Sequence, residues 1–280
     1  MPKICMIIFH GLGDIINSTI ITKAIKTTPC NLTIYTASCY QSAFYINQYV
    51  DEIRILEADH KTAVKLDYQI NDKILRSGQW DKIIRPAPYD NYGIDGQSLI
   101  DIYKIQAKTL GYNGIIRPIL NITQQEVEDA VNWLILRKLD NFILLETQFG
   151  SSQSFWDKTY TEAAISLIGS LRKDLQIVLT HRTDPNLEQY NKIIRTTTLD
   201  VDFRYIVPIY NKCKAFIGVS SAASCIVHSN QCSDIIPHLE FCNGRWWSTA
   251  DYEFKKNKEI SYDPTWESIS KKIIKVITNI

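Results

Sequence analysis

No apolar run in this chain reaches the roughly 18 to 20 residues that a membrane-spanning helix needs. The opening "MPKICMIIFHG" passes to glycine and aspartate without a small-residue cleavage site, so no signal peptide is read there. A soluble, cytoplasmic protein is the expectation. Charge of one sign is missing as well: 31 Lys and Arg stand against 30 Asp and Glu, a net charge of +1, which leaves no electrostatic footprint for nucleic acid. Cysteine is present but unorganised. Cys5, Cys30, Cys39, Cys213, Cys225, Cys232 and Cys242 are odd in number and form no C-x-x-C pair, which argues against a zinc centre or a disulfide framework and for reduced thiols. The five histidines show no metal-ligand spacing, and His60 and His238 read as ordinary surface or strand-end residues. A Walker phosphate loop, a solenoid-length repeat and a low-complexity tract are all absent.

What is present is alternation. At 280 residues two ordinary domains are the leading expectation, with one large α/β domain as the alternative. Apolar runs of strand length occur at 3–9, 31–37, 51–58, 80–86, 141–147, 175–181, 203–207, 214–220 and 233–241, separated by amphipathic stretches. Continuous apolar strands between helix-length segments indicate parallel sheets covered on both faces, a doubly wound α/β architecture present twice. Residues 123–138 read as a helix with Thr123 as N-cap and Glu126 three residues on. A fresh strand follows at Phe142. The layout expected is therefore a first domain over 1–137, a second over 138–262, and a terminal helix over 263–280 that starts at Asp263 and Pro264.

Four stretches carry chemistry. In "FHGLGDIINS", residues 9–18, Gly11 and Gly13 permit positive φ and close approach of a ligand, and Asp14 opens a helix after the first strand. Asp14 also has a plain role there, complementing the helix dipole by roughly 0.3 to 1 kcal/mol. The stretch begins like a dinucleotide fingerprint, but Ile16 stands at the third glycine and no acidic residue ends the second strand, which counts against a nicotinamide cofactor. "LETQFGSSQSFW", 145–156, puts Gly150 and three serines between a strand and a helix. "LQIVLTHRTD", 175–184, ends a strand in polar and basic residues. "KAFIGVSSAASCIVHS", 214–229, leads a strand into a helix whose first turn is nearly all small residues, a place for backbone N–H groups to meet an anion. "GRWWSTADYEF" places Trp246 and Trp247 near Tyr252 and Phe254, most simply as core or junction packing, and "KKNKE" at 255–259 reads as a solvated turn.

Taken in order, "GLGDIINSTIITKAIK", "ETQFGSSQSFWDKTYTEAAISLI" and "YNKCKAFIGVSSAASCIVHS" resemble glycosyltransferase family 9, the ADP-heptose lipopolysaccharide heptosyltransferases and their relatives. Two positions depart from that pattern. Ser154 stands where the family commonly has a lysine, with Lys158 as a nearby substitute, and Ser220, Ser221, Ala222 and Cys225 replace its late Asp-Ser/Thr-Gly turn and histidine, His228 lying a helical turn further on. The resemblance implies the GT-B fold: two Rossmann-like domains facing a cleft, acceptor on the first and nucleotide sugar on the second, the terminal helix crossing back to the first domain. It implies an inverting transferase that needs no metal and no cofactor, moving a sugar from a nucleotide-diphosphate donor to a hydroxyl of a glycan or glycolipid. Lipid-linked acceptors would bring peripheral contact with the inner face of a membrane.

On this reading Asp14 is the general base, with Gly11 and Gly13 shaping the acceptor side. Ser220, Ser221 and Ala222 hold the donor diphosphate, Ser151, Ser152, Ser154, Lys158 and Arg182 contact phosphate or sugar, and Thr180 and His181 border the base or ribose. An aspartate of ordinary pKa near 4 assists only as the acceptor proton becomes acidic in the transition state. The alternatives are a non-catalytic nucleotide-sugar or glycan-binding relative of the same fold and, further off, a nicotinamide-dependent enzyme.

Overall fold

The structure, a computed structural model, describes residues 1–86, 97–147, 155–180, 193–195, 203–244, 252 and 257–280. It divides into two compact units, Met1–Asn121 and Ile122–Ile280.

In the first unit β1 (Lys3–Ile7), β2 (Asn31–Ala37), β3 (Glu52–Leu56) and β4 (Lys82–Ile84) form a parallel sheet in the order β3-β2-β1-β4. The order turns at β1, whose neighbours β2 and β4 lie on opposite sides, so the carboxyl ends of β1 and β4 flank a topological switch point. Helix α1 (Leu12–Ile25) follows β1, α2 (His60–Arg76) joins β3 to β4, and α3 (Leu99–Thr109) packs on α1. Helix α1 is buried along most of its length, and its polar residues satisfy themselves locally. The hydroxyls of Ser18, Thr19 and Thr22 donate to the carbonyls of Ile15, Ile16 and Thr19 at 2.6 to 2.7 Å.

The second unit opens with α4 (Gln124–Leu136), capped by Thr123 and Glu126 in a reciprocal capping box. Strands β5 (Phe142–Glu146), β6 (Gln176–Leu179), β7 (Ile193–Arg195), β8 (Phe216–Val219), β9 (His238–Phe241) and β10 (Lys258–Ser261) form a parallel sheet in the order β10-β9-β8-β5-β6-β7. The switch point here lies between β5 and β8. Helices α5 (Lys158–Leu171), α6 (Ile206–Tyr210), α7 (Ala222–Ile226) and α8 (Trp266–Thr278) complete the unit. Both sheets are the doubly wound α/β type expected.

Several expectations need correction. The run 203–207 is no strand; it forms a 3-10 turn, Phe203–Tyr205, and the start of α6. Pro208 has no N–H for a sheet ladder yet is tolerated in the first turn of a helix. Strands β7 and β10 were not anticipated, and β10 begins inside the "KKNKE" stretch. The division falls at Asn121, not near 137, because α4 packs on α6 and Glu126 forms a bidentate pair with Arg204 at 2.5 and 2.8 Å. The terminal helix, expected to cross back to the first domain, belongs to the second unit. Ile269, Ile273 and Ile277, one face of α8, are fully buried against Ile165, Ile168, Val219 and Phe241, and the Tyr160 hydroxyl donates to the Pro264 carbonyl at 2.8 Å. At roughly 1.5 to 3 kcal/mol for each buried isoleucine, that face fastens α8 to the second sheet. All seven cysteines are free thiols. No helix among the described residues is long and apolar enough to cross a membrane.

Candidate functional site

Each unit presents its chemistry at its switch point. In the first unit β1 ends at Ile7 and α1 starts after the N-cap Gly11, so Asp14 stands in the first turn of α1 directly above the strand. Gly11 has φ −60° and ψ 155°, and neither Gly11 nor Gly13 adopts the left-handed conformation expected of them. What Gly11 contributes is space. A Cβ built there would lie 3.8 Å from Asp14 Oδ2, so glycine leaves the carboxylate uncovered on that side. Tyr103, fully buried on α3, donates from its hydroxyl to the Asp14 carbonyl at 3.2 Å and fixes the turn. Desolvation by the surrounding core pushes the Asp14 carboxyl up to about 7. It outweighs the stabilisation that a helix N-terminus gives a carboxylate.

Beside it the same switch point holds a second cluster. Arg85 directly follows β4 and binds Oδ2 of Asp67, a residue of α2 that is 1% exposed, and His10 Nε2 lies 3.8 Å from the same oxygen. Burial raises the Asp67 pKa and Arg85 only partly offsets it. His10 therefore ties the β1–α1 turn to α2, and Gln106 of α3 donates to the Arg85 carbonyl at 2.9 Å.

In the second unit the carboxyl end of β8 runs through Ser220 into α7. Ser221 is the N-cap: its hydroxyl accepts from the N–H groups of Ala223 and Ser224, while its own N–H donates to Ser224 Oγ at 3.0 Å. The Ser220 N–H donates to the Phe241 carbonyl at 3.0 Å. An anion at this turn therefore meets the Ala222 N–H or displaces the cap, a narrower site than Ser220, Ser221 and Ala222 together suggested. Thr180, buried at the end of β6, gives its hydroxyl to the Glu146 carboxylate. Lys158 lies 3.8 Å from Glu162 on its own helix. Trp156 is core: its indole N–H donates to Thr161 Oγ1 at 2.9 Å and its ring packs on Phe241. Ser151, Ser152, Ser154, His181 and Arg182 lie outside the described residues, as do Trp246, Trp247, Phe254 and the His60 side chain.

Sequence reasoning missed Glu146 and Glu240. Register places Glu146 on β5, Gly218 on β8 and Glu240 on β9 in one row on one face, with both carboxylates at most 2% exposed. The available signal was a charge closing each of the apolar runs 141–147 and 233–241. Gly218 makes the row possible, since a Cβ there would stand 2.7 Å from Glu146 Cβ. His10, Asp67 and Arg85 had no comparable signal, because three separate elements bring them together.

No family model matches the chain, and no curated protein sequence does. Solved structures do. A glycosyl transferase family 9 structure from Veillonella parvula superposes with a TM-score of 0.70 at 15% identity, covering 100% of this chain and 90% of that one. ADP-heptose LPS heptosyltransferase II of E. coli gives 0.59 at 13% identity, covering 99% of each chain. UDP-GlcNAc 2-epimerase of Methanocaldococcus jannaschii, solved with UDP-GlcNAc and UDP, gives 0.56 at 12% identity, covering 99% of this chain and 93% of that one. The fold is the GT-B type of these glycosyltransferases. An epimerase shares it, so the fold does not by itself select the reaction.

Proposed function

We propose that this protein is an inverting glycosyltransferase of the family 9 type, moving a sugar, a heptose or a related one, from a nucleotide-diphosphate donor to a hydroxyl of a glycan or glycolipid acceptor. One observation carries the reading: a carboxyl at the β1 switch point, uncovered by Gly11, carried on a turn that Tyr103 fixes through its main-chain carbonyl, and raised to about 7. A base with pKa near the working pH is better matched to an acceptor hydroxyl than an ordinary aspartate. In the proposed step Asp14 takes the hydroxyl proton as the oxygen attacks the anomeric carbon. The bond from that carbon to the diphosphate oxygen breaks on the opposite face, and the nucleoside diphosphate leaves with the electron pair. Anion contacts at Ala222 and in the loops that follow β5 and β6 hold the departing diphosphate, and no metal takes part in the transfer.

The epimerase likeness makes product analysis the deciding experiment. A thermal-shift panel of nucleotides and nucleotide sugars selects the donor, since a ligand at 100 times its Kd stabilises by roughly 2.7 kcal/mol. Nucleoside diphosphate release that requires an acceptor, with a glycosylated product of inverted configuration, supports the proposal. Isomerised sugar nucleotide without acceptor, or binding without turnover, contradicts it.

A further inference from the structure

A second group of chemistry-bearing side chains lies wholly inside the second unit, and the transferase reading makes no use of it. His228 follows α7, and His238 and Glu240 face the same side of β9. All three are at most 1% exposed, and one ligand-type atom from each lies within 4.8 Å of the others. Aromatic surfaces wall the group: Phe216 stacks on His238 at 4.7 Å, and Tyr252, fully buried, stacks on His228 at 5.0 Å. The His228 and His238 rings meet edge-on at 4.7 Å. Cys242 donates its thiol to Glu240 Oε1 at 3.0 Å.

A buried carboxylate needs a cation or several donors to offset its lost hydration. One imidazolium would suffice for that, and His238 Nε2 stands 3.2 Å from Glu240 Oε2. The second imidazole, delivered from another element to the same point, is what a purely ionic pair does not require. His228 is also oriented as metal-binding histidines are: its Nδ1 is engaged by the Ser224 carbonyl at 2.5 Å, so coordination by this ring runs through Nε2. The separation of His238 and Glu240 is already that of two ligands on one tetrahedral zinc, about 3.3 Å for bonds near 2.0 Å. Bringing in the third ligand, within 4.8 Å of the other two, takes a movement of up to about 1.5 Å, within reach of a side-chain adjustment.

We infer that His228, His238 and Glu240 bind a divalent transition-metal ion, zinc by the character of the donors, as a structural clamp between α7 and β9. The inference is independent of the transferase reading, and it departs from the expectation that the histidines carry no metal role. Cys242, whose thiol donates to Glu240 Oε1, orients that carboxylate from outside the group of three.

Mass-spectrometric metal analysis of wild-type protein, purified without a histidine tag and dialysed against a weak chelator, is expected to find about one zinc per chain. Replacing zinc with cobalt is expected to give the visible absorption of a low-coordinate site with nitrogen and oxygen donors. His228→Gln is expected to lose the metal and the cobalt band while Cys39→Ala, on the surface, keeps both. Wild-type protein with less than about 0.1 metal per chain and no thermal shift on adding zinc or cobalt overturns the inference, and so does a folded His228→Gln protein that retains full metal. Should His228→Gln fail to fold, the wild-type metal content and cobalt spectrum decide alone: a spectrum without histidine character overturns the site.

Discussion

The Tyr103 hydroxyl reaches the Asp14 carbonyl at 3.2 Å, so α3 holds the first turn of α1, which carries the Asp14 carboxylate just beyond the end of β1. Tyr103→Phe removes that bond without changing the packing. A stability loss of about 1 kcal/mol is expected, together with a fall in kcat up to about tenfold as the turn that carries the carboxylate loosens. Denaturant unfolding and steady-state rates measure the two separately.

Gly11 uncovers Asp14, and its backbone conformation suits any residue. Gly11→Ala is expected to stay within about 0.5 kcal/mol of wild-type stability while raising the KM for the acceptor. Gly11→Val, with more bulk over Oδ2, should raise it further. Equal KM values across the three proteins would place the acceptor elsewhere.

Glu126 and Arg204 join α4 to the rest of the second unit. Burial works against the Glu126 charge, but hydrogen bonds from Arg204 and Thr123 outweigh it and hold the carboxyl down at about 2. A depressed carboxylate contributes stability that is present above its unfolded value near 4.5 and lost as the pH falls toward 2. Urea midpoints should therefore drop across that window in wild type and drop less in Glu126→Gln. At pH 7 the variant should be roughly 3 kcal/mol less stable, because Arg204 is buried and left without its anion.

The fold was legible where local signals agree. The second strand was read at both its ends, 31–37, because β-branched residues fill it between turn signals, and the cap at Thr123 marked the start of α4. The reading failed where tertiary partners decide. "FRYIV" has the length of a strand but takes its helical form against α4, and α8 carries an apolar stripe that does not say which sheet it meets. For the site, Asp14 was visible as a charge after a buried strand. Its raised pKa was not, since desolvation comes from chain segments far away in sequence. The pairing of His228 with His238 is equally non-local, ten residues apart across a turn.

Gly218 lets Glu146 and Glu240 share a row. Gly218→Ala sets a methyl group against Glu146 Cβ and the Phe216 ring, neither of which is a flexible chain end. A loss of about 1 to 3 kcal/mol is expected in thermal or urea unfolding. A neutral result would mean that the strands separate more easily than their packing indicates.

The most direct test of the account is Asp14→Asn, followed in stability and in rate on one preparation with the donor and acceptor that the ligand panel selects. A carboxyl raised to about 7 in the folded state disfavours folding increasingly as the pH climbs from about 4 to 7, and fully above that. The isosteric amide is free of this burden, so at pH 8 the variant should be more stable than wild type by on the order of 2 kcal/mol, and at pH 4 no more stable. A residue that merely complements a helix dipole would instead lose about 0.3 to 1 kcal/mol on the same change. In the same samples kcat should fall by roughly 10² to 10⁴, with donor affinity unchanged. The wild-type rate should rise with pH through about 7 as Asp14 gives up its proton, a limb that the variant lacks. A folded Asp14→Asn protein that turns over near the wild-type rate and shows the same rise through pH 7 would contradict the assignment of Asp14 as the base.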